Sequence, residues 1–457
     1  MMKRSIILTA VLAACGVCHA QTAITPEVLK TLENSYSPTA ADKALRNAIS
    51  SVSMSSIALN QDNTQAKDTH FSVEVPNSGI SNQQGSGRCW LFTGTNVLRN
   101  KAMKKLGVSD FFFSQVYLFF YDQLEKSNLF LQGIIDTRSK DQDDQMVRWL
   151  FQNPLSDGGT YTGVADLVTK YGLVPQDAMP APGSLQGDSL FNFSELSMVA
   201  GAVVNSIAKW KPEAGSRKRS LVLSPIWKKN VEAIYDNYLG KLPESFKYEG
   251  KTYTPKSFAE YLGLNADDYV SISSYTHHPF YEPFVVEVQD NWRWAQSYNL
   301  PLNEMMQVID NAINNGYTIA WGADVSEAGF GAVTRVPASA KTKDLSHSDA
   351  ARWTGTDGKA DKNTVSAEGE LTITQEMRQK AYDNWETTDD HGMVIYGLAK
   401  DSTGAEYYMV KNSWGEYGKY KGIFYVSKPY VAYKTMNFVV NKNALPKEIA
   451  KKLGIKL

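Results

Sequence analysis

A chain of 457 residues with 43% hydrophobic and 21% charged residues has an ordinary globular composition and enough length for two or three domains. Its formal net charge of -1 excludes the overall basic footprint by which proteins hold nucleic acid or an anionic membrane. Polyanion contact would have to come from local runs such as Arg217-Lys218-Arg219 and Lys228-Lys229, and short charge runs of this kind read first as solvated faces.

The first twenty residues carry Lys3 and Arg4, an apolar run from Ile6 to Ala14, and small residues ending in Cys18-His19-Ala20. This is the layout of a secretory signal peptide over residues 1–20, and its apolar run is too short to cross a bilayer as a mature helix. Leu12-Ala13-Ala14-Cys15 also resembles a bacterial lipobox, so cleavage after Ala20 and lipidation at Cys15 both stand. Either route exports the protein, to the periplasm, to the outer membrane as a lipoprotein, or to the medium. Membrane contact is expected only with the lipid. Of the three cysteines, Cys15, Cys18 and Cys89, cleavage after Ala20 leaves one thiol and no internal disulfide. A lone thiol in an exported chain is either an inert buried hydrophobe or a reactive group, and its neighbours decide which.

Residues 21–70 form an N-terminal arm with a possible helix near Ala41 to Ile49. Phe71 to Val75 alternates like a short strand that stops at Pro76, and a glycine-containing loop from Asn77 to Arg88 follows. From Cys89 the spacing of Leu91, Thr95, Leu98, Ala102 and Leu106 predicts a helix ended by Gly107. That places Cys89 at a helix N-terminus, where partial positive charge is expected to lower the thiol pKa. Further helices are expected from Ser114, around Asp144 to Phe151, and from Gly163 to Tyr171, giving a helical lobe over 71–200. Residues 201–300, with their basic runs and prolines, read as an inserted module. Strand-like runs at Tyr317–Trp321, Gly392–Leu398, Tyr407–Val410, Ile423–Val426 and Met436–Val440 predict a β-rich lobe over 301–445. Within it, Ser346 to Glu370 reads as a surface loop. The tail, 446–457, starts as a helix with Ile449 and Leu453 on one face.

Thiol acyl transfer needs a thiolate, a base, a group to orient the base, and donors for the oxyanion. Gln83-Gln84-Gly85-Ser86-Gly87-Arg88-Cys89-Trp90 offers a thiol, a glycine-rich approach and amide donors, and far downstream lie Asp390-His391-Gly392 and Lys411-Asn412-Ser413-Trp414-Gly415.

With a Gln six positions before the Cys (89 − 83), the first stretch resembles the papain superfamily of cysteine peptidases. Ser86-Gly87-Arg88-Cys89-Trp90-Leu91-Phe92 is similar to its bleomycin hydrolase and aminopeptidase C branch, and Asn412-Ser413-Trp414-Gly415 to the superfamily's Asn motif. Phe113 to Phe120, Asp157-Gly158-Gly159 and Lys170-Tyr171-Gly172-Leu173-Val174-Pro175 are family-like as well. The His lies 302 residues after the Cys (391 − 89), against about 130–150 in papain-like enzymes, which fits a branch carrying insertions. The resemblance implies an α+β fold, a helical lobe and a β-barrel-like lobe with the active site in the cleft between them. It makes Cys89 the nucleophile, His391 its proton partner, Asn412 the orienting group, and Gln83 with the Cys89 N–H the oxyanion hole. Gln84 is a rival for that last role. Trp414 would shield the His–Asn bond, Gly158 and Gly159 would pair with the substrate backbone, and Trp90 joins them as a binding candidate. The branch is hexameric, needs no cofactor, and uses its own C-terminus to hold the free amine of a peptide substrate.

Aminopeptidase action is therefore expected, with endopeptidase or dipeptide-releasing activity as the alternative because the tail departs from the family's usual ending. A rival of another class is an idle assembly that binds polyanions through the basic runs. His277-His278 lacks Cys or carboxylate partners at ligand spacing, so no metal site is expected.

Overall fold

A computed structural model describes residues 25–35, 37–51, 70–75, 79–137, 139–141, 143–182, 192–208, 226–327, 330–336, 370–402 and 404–457. The leader over 1–20, the run Arg217-Lys218-Arg219 and all but the last residue of the loop expected over 346–370 lie outside them. The chain divides into two units, residues 1–67 and 68–457. The first holds helices α1 (Pro26–Ser35) and α2 (Ala40–Ser51), neither of which buries a residue.

The second unit has a helical core and a sheet core. After strand β1 (His70–Glu74), helix α3 (Cys89–Leu106) starts at the thiol and ends where Gly107 takes a left-handed φ of 70° and its N–H bonds Met103 O. Helix α4 (Gln115–Asp136) begins under the hydroxyl of Ser114, which accepts the N–H of Tyr117. Val116 to Phe120 are all buried, a run that only a helix at the centre of a lobe can carry. Helices α5 (Gln145–Gln152), α6 (Tyr161–Tyr171), α7 (Phe193–Ala208) and α8 (Ile226–Leu239) complete this layer. The small hairpin of β2 (Phe246–Tyr248) and β3 (Lys251–Tyr253) and helix α9 (Pro255–Tyr261) close it.

A ten-stranded mixed sheet forms the other layer. It contains β4 (Tyr269–Ser273), β5 (Pro283–Val285), β6 (Gln296–Asn299), β7 (Ile319–Ala323), β8 (Val333–Thr334), β9 (His391–Lys400), β10 (Glu406–Lys411), β11 (Ile423–Ser427) and β12 (Thr435–Asn441). The order is β5-β6-β4-β12-β7-β9-β10-β11-β8, with β1 also on β9. β7 pairs with the first half of β9, from His391 to Ile395, and β1 with the second, from Gly397 to Lys400. Helices α10 (Leu302–Asn314), α11 (Gln375–Asp383), α12 (Lys428–Lys434) and α13 (Lys447–Lys452) accompany the sheet.

Residues 201–300, expected as an inserted module, are divided between the cores. Val231, Tyr235, Leu239, Phe258 and Leu262 join the helical core with Leu91 and Phe119, whereas β4 to β6 extend the sheet beside β12. Tyr275, Phe284 and Val286 form a further small cluster with Met436. The tail begins as the expected helix, and Ile449 and Leu453 are buried in the sheet core with Val440 and Leu445.

Candidate active site

The start of α3 lies on the start of β9. A Cβ on Gly392 would stand 3.1 Å from Thr93 Oγ1 and 3.6 Å from Trp90 Cα, so the glycine beside His391 is what lets the helix come this close. Cys89 is buried here, and the backbone N–H groups of Gly392 and Trp90 beside it favour the thiolate against that burial. His391 is the first residue of β9. Strand β10 pairs antiparallel with β9 at Lys411↔Val394, and the same register carried on brings Trp414 level with His391.

The two rings stack at 4.8 Å and 29°. His391 Nε2 lies 2.7 Å from Asn412 Oδ1, and both residues are buried. Because Oδ1 also accepts the Ser413 N–H at 2.7 Å, it is the acceptor end of the amide, which makes Nε2 the protonated nitrogen and leaves the lone pair on Nδ1. Trp414 is 40% exposed and covers this bond on its solvent side.

The loop before α3 is tied to the same turn. Gln83 N–H donates to Ser413 O at 2.7 Å, Gly415 N–H donates to Ser81 O at 3.0 Å, and Asn82 bridges to Trp414. The Gln83 side chain is buried, with Oε1 accepting the Ser413 hydroxyl at 2.5 Å and Nε2 donating to Ser86 O at 2.6 Å. Gln84 is exposed, with a φ of 57°. Ser413 thus holds together the Gln loop and the Asn motif, a role that its place inside the motif did not reveal.

Trp90 is packed beneath Gly159, where any Cβ would meet the indole ring at 2.7 Å, and its Nε1–H donates to Asp157 O at 2.9 Å. A narrow cavity of about 30 Å³ joins these parts, lined among others by Cys89, Trp90, Gly159, Asp290, Asp389 and His391. Sequence reading missed Asp290 and Asp389. Asp389 was adjacent to the His motif and could have been suspected; Asp290 had no local signal.

The electrostatics differ from the expectation drawn from the helix end. Burial pushes the Cys89 thiol up to about 12, against the opposing Gly392 N–H, and the neighbouring Asp290 and Asp389 carboxylates add to the rise. Burial likewise lowers His391 below the ordinary imidazole value, opposed by the Asn412 hydrogen bond. Both shifts favour the thiol and the neutral imidazole, with burial the larger cause of each. Asp390, next to His391, accepts the N–H groups of Val325 and Ser326, which anchors the start of β9, and its charge raises the His391 pKa against burial.

A family model described as the Peptidase C1-like family matches residues 23–330 and 348–456. The chain belongs to that family. It is therefore a cysteine-type peptidase, with a papain-like fold. Among its relatives, Aminopeptidase C of Listeria monocytogenes is 29% identical over 399 residues, covering 83% of each chain. Aminopeptidase C of Lactobacillus delbrueckii subsp. lactis is 28% identical over 416 residues, 85% of each, and Aminopeptidase G of the same organism is 28% identical over 404 residues, 83% of this chain and 84% of the relative. The crystal structure of pepw from Lactobacillus rhamnosis HN001 superposes with a TM-score of 0.65 at 24% identity over 95% of each chain, a likeness of fold.

Elsewhere in the peptidase, the fold brings Glu287 to His277 and His278, with their possible ligand atoms all within 4.8 Å. Gln379 accepts the Thr276 N–H through Oε1, so its Nε2 donates to His277 Nδ1. His277 Nε2 lies 3.5 Å from Glu287 Oε2 and His278 Nε2 3.1 Å from Glu287 Oε1, which corrects the expectation that the two histidines lack a carboxylate partner. No helix among the described residues is long and apolar enough to cross a membrane.

Proposed function

We propose that this peptidase is an exported aminopeptidase that cleaves peptides through a thioester on Cys89. The observation that carries the reading is one cavity holding a buried thiol at a helix start and an imidazole whose other nitrogen is fixed by Asn412. Cys89 Sγ attacks the scissile carbonyl carbon while Nδ1 of neutral His391 takes the thiol proton. The same proton passes to the leaving amine, and water activated by His391 then hydrolyses the thioester. Gln83 Nε2 spends one hydrogen on Ser86 O and keeps the second for the oxyanion, beside the Cys89 backbone N–H. Trp414 keeps water from the His391–Asn412 bond.

The names of the relatives, Aminopeptidase C and Aminopeptidase G, support removal of single N-terminal residues. The leader pattern from Lys3 to Ala20 supports export. Hydrolysis of fluorogenic aminoacyl amides with free and with acetylated amines tests the activity, with Cys89→Ala as control. Preference for the free amine is expected, together with a loss of about 1,000-fold or more in Cys89→Ala. Efficient cleavage of blocked substrates would sink the aminopeptidase reading. Export is tested by cell fractionation and N-terminal sequencing, with a mature chain starting at Gln21 or an acylated Cys15 as the expected result.

A further inference from the structure

We propose that the Asp290 carboxylate, backed by Asp389, recognises the α-ammonium of the substrate and closes the groove to longer chains. The inference rests on the peptidase reading above. Both residues line the cavity that holds Cys89 and His391. Asp290 lies so close over Gly158 that a Cβ there would collide with its carboxylate oxygen, and the neighbouring Gly159 backbone lowers its pKa against burial. An extended peptide running past the nucleophile binds through backbone donors of the wall beside it. Here a carboxylate lies over that wall, pressed against Gly158 and lining the same cavity as Gly159. A chain continuing in this direction meets Asp290, so the substrate has to end there, and a free peptide ends in an ammonium.

The local charge suits that cation. Asp389 Oδ2 is buried with no hydrogen-bond partner, and burial with the neighbouring Asp290 and Asp390 charges raises its pKa to about 8. Asp290 is also raised by burial, opposed by Lys126, with Asp157 and Asp122 adding to the rise. Lys126 is committed to Asp122 at 2.7 Å and to the carbonyls of Ser156 and Gly158. A substrate ammonium would supply the missing positive charge and a donor for Asp389. The tail does not: among the described residues none after Val439 lines the cavity, and Leu457 is 51% exposed while Ile449 and Leu453 are buried in the sheet core.

The test compares the parent protein with Asp290→Asn, Asp290→Ala and Cys89→Ala on alanyl-, N-acetyl-alanyl-, N-acetyl-lysyl- and N-acetyl-dipeptidyl-aminomethylcoumarin. Alkylation of Cys89 by iodoacetamide counts active sites, so a poorly folded variant is corrected for. A charged hydrogen bond is worth enough that Asp290→Asn should cut kcat/KM for the alanyl amide about 10–100-fold, without a matching loss on acetylated substrates. Asp290→Ala, which removes the obstruction, should raise turnover of the N-acetyl-dipeptidyl amide. The proposal is overturned if the parent cleaves alanyl and N-acetyl-alanyl amides equally, or if both Asp290 variants keep the parental ratio while Cys89→Ala is inactive. A loss confined to the N-acetyl-lysyl amide would assign the carboxylates to a side-chain ammonium and overturn it too. Turnover that survives Cys89→Ala removes the peptidase reading itself.

Discussion

His391 and Asn412 show how much of the chemistry is settled by single hydrogen bonds. The Ser413 N–H fixes the asparagine amide, the amide fixes the imidazole tautomer, and the tautomer leaves the lone pair on Nδ1. Asn412→Ala should lower kcat about 10–100-fold, since the base keeps its chemistry but loses its orientation. The Asn412 bond raises the His391 pKa against the burial that lowers it. The acid limb of kcat/KM, set by the neutral imidazole, therefore falls below the ordinary histidine value near 6.5. It should move lower again in Asn412→Ala; a shift upward would contradict this account. Asp389 gives the opposite signature, in stability. Its folded pKa of about 8 lies above the ordinary carboxylate value near 3.9, so its contribution is fully present below that value and lost as pH rises through about 8. Asp389→Asn mimics the protonated acid, and its gain in Tm over the parent should grow between about pH 5 and 9. A gain independent of pH would argue that Asp389 is charged at rest.

At the scale of elements, α3 and β9 form the working pair, and glycine sets their separation. Gly392→Val would push branched atoms into Thr93 and the Trp90 backbone, and should reduce both activity and stability, the latter by about 1–3 kcal/mol as for other overpacked contacts. Helices α3 to α6 and strands β1, β7 and β9 to β12 were legible because each carries a local signal, whereas α7 to α9, β4 to β6 and β8 were not. Ser114 caps α4, Gly107 ends α3, and β-branched runs mark β9 to β12. Asp290 was not legible. Its meaning depends on a contact with Gly158, 132 residues away (290 − 158), and no periodicity encodes a contact of that range.

At the scale of the molecule, the two layers meet at the cavity, and buried charge helps hold the sheet side of it. Lys434 bonds Glu327 and lies 3.6 Å from Asp324, all three buried. Lys434→Met leaves two carboxylates without their cation and should cost about 3–5 kcal/mol, measured by denaturant unfolding. Loss of Ile449 to Ala removes a buried anchor of the tail helix and should cost about 2–5 kcal/mol. If Asp290 rather than the tail reads the amine, Ile449→Ala should leave the preference for free-amine substrates intact. A homo-oligomer, a hexamer by resemblance, is the proposed assembly, and light scattering behind size exclusion should give a mass near six chains.

The sequence by itself determined the identity of the reacting groups. A thiol at the start of a helix, a histidine at the start of a strand and an asparagine beside a tryptophan are local patterns, and each survives without its partners. The tertiary structure decided what state they are in and what may reach them. Enclosure turns a thiol expected to be acidic into one pushed up to about 12, and the fold lays the Asp290 carboxylate against Gly158 in the same cavity. Both effects come from desolvation and long-range contact, which exist only once the two layers have closed on each other.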